Sequence, residues 1–127
     1  MSKSVVYSEH APEPIGPYSQ AIQSGNMLFV SGQIALSRST GAMITTNIEE
    51  ETKQVMANVK AVLAAAGMDF SNVVKTSIFL KDMNNFPTVN QIYGTFFQST
   101  PPARETVEVS RLPKDANVEI SCIAVKS

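Results

Sequence analysis

Read for the spacing of its apolar positions, the chain moves between a period of two and a period near 3.6, as strands and helices do. A short β-type run covers Val5 to Tyr7. The following HAPEPIGPYS is too rich in proline to continue a ladder and predicts an ordered crossing loop. Ser19 to Gln23 and Met27 to Ser31 meet across Ser24-Gly25-Asn26. Gly and Asn tolerate positive φ, so this pair predicts a hairpin. MLFV is apolar without alternation, as expected of a strand covered on both faces. A turn around Ser39-Thr40-Gly41 follows.

The first helix is signalled by Asn47 and Glu50 as a capping pair, with Glu49, Glu50 and Glu51 in the first turn. Val55, Met56, Val59, Val62, Leu63 and Ala66 form one apolar stripe, and Gly67 is the stop. From Val73 to Lys81 the pattern alternates. Val74, Thr76, Ile78 and Leu80 share one face, and Lys75, Ser77 and Lys81 the other, interrupted by Phe79. A second helix begins near Asn84-Asn85-Phe86-Pro87, with Asn as cap and Pro in the first turn. Phe86, Val89, Tyr93, Phe96 and Phe97 make its apolar side, and Gly94 stands in its interior. Strands follow from about Arg104 to Val109 and from Val118 to Val125, separated by the loop RLPKDAN.

Strands, helix, strand, helix and two strands predict an α+β fold: one sheet whose two helices cover one face. Phe79, Ile123 and Val125 lie on strand faces that also carry polar residues, so we expect the second sheet face to be buried against another copy of the chain. The length, 127 residues, suits one domain spanning 1–127, and a 43% hydrophobic content supplies one core without staples. Ten basic against eleven acidic residues give a formal charge of −1, with no basic cluster to grip nucleic acid. One His and one Cys disfavour a Cys/His zinc site. There is no apolar run of signal-peptide or membrane-span length, and the terminal AVKS carries no prenylation or peroxisomal signal, so a soluble cytoplasmic protein is expected.

Phosphate-binding glycine motifs and a GxSxG elbow are missing from the sequence. His10 precedes the proline-rich loop and reads as a surface residue, and Cys122 alternates with Val118, Ile120 and Ala124 as a small buried hydrophobe. The informative stretch is PPARETVEVSRLP. Period two places Arg104, Thr106 and Glu108 on one strand face, and Val107 and Val109 on the other. Arg104 opens a strand after the stiff Pro101-Pro102 pair. By pattern alone that is a surface arginine at a strand end, or a rigid mount for a guanidinium that binds carboxylate bidentately. Glu119 is an ordinary solvent-facing glutamate, or, if the two strands are neighbours, a proton-handling group sharing a site with Arg104.

IGPYSQ at 15–20, VSGQI at 30–34, NVVKT at 72–76, VNQIY at 89–93, PPAR at 101–104 and RLPKDANVEI at 111–120 occur in an order that resembles the Rid family, the reactive intermediate deaminases, also called the YjgF family. The resemblance spans nearly the whole chain and is nearest to the RidA-type 2-iminobutanoate/2-iminopropanoate deaminases. It implies a chorismate-mutase-like single domain assembled as a homotrimer with clefts between subunits. It also implies hydrolysis of small 2-imino or enamine acids, such as 2-aminoacrylate, to 2-keto acids and ammonia without a cofactor.

By the same resemblance Arg104 holds the substrate carboxylate and Glu119 positions a water or moves protons. Tyr18, Ser31, Gly32 and Asn90 line the pocket, and Phe86 is an apolar wall. Thr106 stands where many deaminases carry Cys. The backbone N–H implied to contact the ligand is kept, while pocket shape and rate are open to change. Pro101 replaces an aromatic residue common in relatives and alters the rim. Two other readings compete: a module that binds 2-keto acids without turnover, and an RNA-cleaving translational inhibitor. The balanced charge and single His disfavour the second.

Overall fold

The computed structural model describes residues 2–127. Its six strands are β1 (Lys3–Val6), β2 (Ala21–Ser24), β3 (Met27–Gln33), β4 (Val73–Leu80), β5 (Ala103–Glu108) and β6 (Val118–Val125). They form one sheet in the order β1-β2-β3-β6-β4-β5, in which only β4 and β5 run parallel. The two helices are α1 (Ile48–Ala65) and α2 (Phe86–Gly94). No helix among the described residues is long and apolar enough to cross a membrane.

Cross-strand register explains which side chains go inward. Leu28 pairs with Ala124, Val30 with Cys122, Ile78 with Ile120 and Leu80 with Val118, and all eight are buried. Val55, Met56, Val59, Val62 and Leu63 of α1, and Val89 and Tyr93 of α2, pack onto this face. Each large aliphatic side chain buried there stabilises the fold by roughly 1.5–3 kcal/mol. The α1 cap is the expected one, since the Asn47 side chain accepts from the Glu50 N–H at 2.8 Å. Gly67 turns the chain at φ 71°.

Four local expectations are corrected. The hairpin strand begins at Ala21, not Ser19, because Gln20 is spent on the crossing loop. Its side chain accepts from the Ser8 N–H and donates to the Ser8, Ala11 and Pro12 carbonyls. Val74 does not face the core. The register with β6 shifts between Val73 and Lys75, which leaves Val74 48% exposed and brings Thr76 back inward. The chain enters α2 through a 3₁₀ turn at Met83–Asn85, capped by the Asp82 side chain on the Asn84 N–H at 2.9 Å, while Asn85 makes no side-chain cap. Finally, Gly94 is the last helical residue rather than an interior one. Phe96 and Phe97 lie beyond the helix and pack against Phe70, tilted and edge-to-face, at centroid distances of 5.2 and 5.5 Å.

The face opposite the helices carries a row of apolar side chains running across the strands: Val5, Ile22, Phe29 and Ile123, paired in that order. Val5 and Phe29 are exposed in the single chain. A second row on this face runs Glu119, Phe79, Val107.

Candidate active site

The first cluster is built on α2 and the start of β5. Residues 86, 90 and 93 are spaced so that one helix face presents Phe86, Asn90 and Tyr93 together. That face meets Arg104 where it leaves the Pro101-Pro102 turn. The guanidinium carbon lies 5.1 Å from the Tyr93 ring centroid and 5.6 Å from that of Phe86. Its Nη1 donates to Asn90 Oδ1 at 2.7 Å. Among the described residues no carboxylate forms an ion pair with Arg104. The cation is therefore held by two ring faces and an amide, all neutral, and it opens on a concavity of about 450 Å³ lined by Asn90, Tyr93, Gly94, Pro101, Pro102 and Arg104. Thr106 sits two residues along the same strand, and its Oγ1 is buried without a hydrogen-bond partner.

The second cluster is on the open face. β3 bulges between Val30 and Gln33, and the displaced Ser31 and Gly32 come to lie beside β6. Ser31 is held by its Oγ donating to the Ser19 carbonyl at 2.6 Å and its N–H to that of Gln20 at 2.9 Å. Gly32 leaves room for Glu119. Ile15, Tyr18, Ser31, Gly32, Pro113 and Glu119 enclose about 290 Å³. The Tyr18 hydroxyl accepts from the Ile15 N–H at 3.2 Å, which closes the crossing loop over this space. Glu119 is half-buried, and that burial raises its pKa above the ordinary carboxylate value. The β6 segment that carries it begins at a firm anchor. Buried Glu51 of α1 accepts from both the backbone N–H and the side-chain amide of Asn117, at 2.7 and 2.8 Å.

The two clusters do not meet within one chain. β4 separates β5 from β6, and Arg104 points to the helix side of the sheet while Glu119 points to the open side. The expectation that they share a site as strand neighbours is thus corrected. A site using both must be assembled from more than one chain. Phe86, Asn90, Arg104 and Thr106 fall in the first cluster, and Tyr18, Ser31, Gly32 and Glu119 in the second. Tyr93 joins the first cluster although its place on the apolar side of α2 marks it only as a core aromatic, and its spacing from Phe86 and Asn90 is the signal for it. Glu51 reads from the sequence only as a helix-start charge. His10 is exposed on the crossing loop. Burial pushes the Cys122 thiol up to about 12. Among the described residues no group of three or more His, Cys, Asp or Glu could hold a metal ion.

A six-stranded mixed sheet with two helices on one face, an arginine caged at its edge and a glutamate beside a bulge is a frame found in known proteins. Residues 8–126 match the family model described as Endoribonuclease L-PSP, and the chain belongs to this family, the Rid family. It is 50% identical over 124 residues to a RutC family protein of Pyrococcus horikoshii, covering 98% of each chain. It is 47% identical over 124 residues to the 2-iminobutanoate/2-iminopropanoate deaminase of Mus musculus, covering 98% of this chain and 92% of that one. Among solved structures it is similar to E. coli TdcF with bound serine, with a TM-score of 0.94 and 40% identity over 98% of this chain and 99% of that one.

Proposed function

We propose that the protein hydrolyses reactive 2-imino and enamine acids, chiefly 2-aminoacrylate as 2-iminopropanoate and 2-iminobutanoate, to 2-keto acids and ammonia, in clefts between the subunits of a homotrimer. The single observation that carries this reading is the Arg104 guanidinium, charged, solvent-open and held only by neutral groups. Such a fork retains its affinity for an incoming carboxylate, because no resident anion neutralises it.

The chemistry asks little beyond placement. Protonation of the enamine at C3 gives the iminium ion, whose C2 is electrophilic. Water adds at C2 and gives up one proton, the carbinolamine nitrogen takes up a proton, and the C–N bond breaks to release ammonia, which carries off the remaining hydroxyl proton as the keto group forms. Glu119 of the neighbouring subunit accepts the proton of the attacking water and returns it to the departing nitrogen, a role that suits a carboxyl whose pKa burial has raised. Arg104 fixes the carboxylate so that C2 is held near that water, which is catalysis by position. Two relatives favour the same reading: the mouse protein by its name, and TdcF by its bound serine, which carries a carboxylate next to a carbon bearing nitrogen. The apolar row Val5, Ile22, Phe29 and Ile123 supports the assembly, since a neighbouring subunit laid on the open face covers it and brings a second chain to Glu119.

The test generates 2-aminoacrylate in situ with a serine dehydratase and follows keto-acid release. Acceleration over spontaneous hydrolysis is expected. Binding of 2-oxobutanoate with no acceleration would replace the enzyme by a ligand-binding module.

A further inference from the structure

We infer that Tyr93 is a positioning residue: its ring, packed against Phe97, sets the direction in which Arg104 presents its guanidinium to an anionic ligand. This rests on the reading of Arg104 as the carboxylate holder.

The geometry runs in a short closed circuit. Thr76 and Arg104 are register partners on the parallel strands β4 and β5. The Thr76 side chain rises from the sheet and its Oγ1 lies 2.7 Å from the Tyr93 hydroxyl. Both residues are almost wholly buried, at 2% and 4% exposure, so this bond is shielded from competing water. The Phe97 ring packs against the Tyr93 ring at a centroid distance of 4.8 Å. The Tyr93 face meets the Arg104 guanidinium at 5.1 Å. Phe86 closes the other side at 5.6 Å, and Asn90 takes one Nη1 proton. Burial raises the Tyr93 pKa, so the phenol stays neutral and leaves the guanidinium charge uncompensated.

An arginine side chain has several rotatable bonds, and freezing them on binding weakens the complex. A guanidinium already sandwiched between rings loses less of that freedom when a carboxylate arrives. Tyr93 lines the concavity with only 4% of its surface exposed, so it acts on affinity chiefly through Arg104.

The experiment measures 2-oxobutanoate binding by NMR titration, with the intact protein, for wild type, Tyr93→Met, Tyr93→Phe, Phe86→Leu, Arg104→Ala and the double variant Tyr93→Met/Arg104→Ala. Tyr93→Met fills the space without a ring face, and about a five- to tenfold weakening is expected, in line with a partly desolvated cation–π contact. Tyr93→Phe keeps the ring and should bind within about twofold of wild type. In the Arg104→Ala background Tyr93→Met should add no further loss. Equal weakening in both backgrounds, or no weakening in either, overturns the inference and leaves the carboxylate-holder reading intact. Undiminished binding by Arg104→Ala overturns that reading itself. Phe86→Leu bears on the same clamp from its more open side. Should Tyr93→Met not fold, weakening by Phe86→Leu that vanishes in the Arg104→Ala background, together with retained binding by Tyr93→Phe, supports the clamp. Unchanged binding by Phe86→Leu, or a large loss with Tyr93→Phe, then overturns it.

Discussion

Gly32 stands against Glu119 so closely that a Cβ on it would lie 2.6 Å from Oε2, 2.7 Å from Cδ and 3.1 Å from Cγ of that side chain. The bulge in β3 brings the two together, and only a residue without a side chain leaves the carboxylate where it is. Gly32→Ala is therefore expected to push Glu119 aside while the strand persists. A misplacement of about 1 Å can cost about a hundredfold in rate, so imine hydrolysis should fall by that order. Steady-state assays beside thermal melts check this: a Gly32→Ala protein at full activity contradicts the placement of Glu119.

Arg104 is exposed and only borders the core at Tyr93, so its loss should be felt chiefly in substrate capture and little in folding. Charge-assisted hydrogen bonds contribute roughly 1.5–3 kcal/mol, and Arg104→Ala should lower kcat/KM by about ten- to a hundredfold or more. Arg104→Lys keeps the charge but not the fork, and partial rescue is expected. Kinetics on all three proteins, with melting temperature as control, decide the point.

Because Arg104 and Glu119 face opposite sides of one sheet, subunits bearing either defect should complement each other. Arg104→Ala and Glu119→Ala proteins, each far less active alone than wild type, are co-refolded in equal amounts. Random mixing gives about a quarter of the clefts an intact arginine from one chain and an intact glutamate from the next. Recovery to about that fraction of wild-type turnover is the expected result, whereas a site contained in one chain yields none.

The open sheet face gives a further test. Phe29 is paired with both Ile22 and Ile123 in the apolar row and is 41% exposed in the single chain. Light scattering should give three times the 13.7 kDa chain mass for wild type. Phe29→Asp buries a charge in that contact and should shift the mass to one chain, with loss of activity. A wild-type monomer would remove the basis for a cleft between subunits.

Burial raises the Glu119 pKa, so the folded chain holds this proton more tightly than the unfolded chain does. Stability from this group is then present at low pH and falls as pH rises from the ordinary carboxylate value of 4.5 through the raised folded value. Glu119→Gln has no proton to lose. Its melting temperature relative to wild type should climb between about pH 4 and pH 7, and a difference independent of pH would contradict the assignment.

The element order and the helix cap at Asn47 were legible because they rest on local signals: periodicity, a side-chain oxygen three residues before an amide, a Gly at the stop. Both site carboxylate- and proton-handling candidates could be named as residue types for the same reason. Their relation could not. That Arg104 and Glu119 lie on different faces depends on β4 inserting between β5 and β6, a long-range pairing no short window reveals. Val74 was misplaced because one bulge residue inverts every side chain before it. Glu51 was misread because a charged residue in a first turn has an adequate local explanation, and its tie to Asn117 spans 66 residues of sequence.

Cys122 is the chain's single sulfhydryl, walled in at 4% exposure and so weakly acidic that it remains protonated at neutral pH. Thr106 puts a hydroxyl on the strand face next to Arg104, where a more reactive group could have stood. The molecule thus offers thiol-directed reagents almost nothing to consume, while Met27 and Met83 stay open to oxidants.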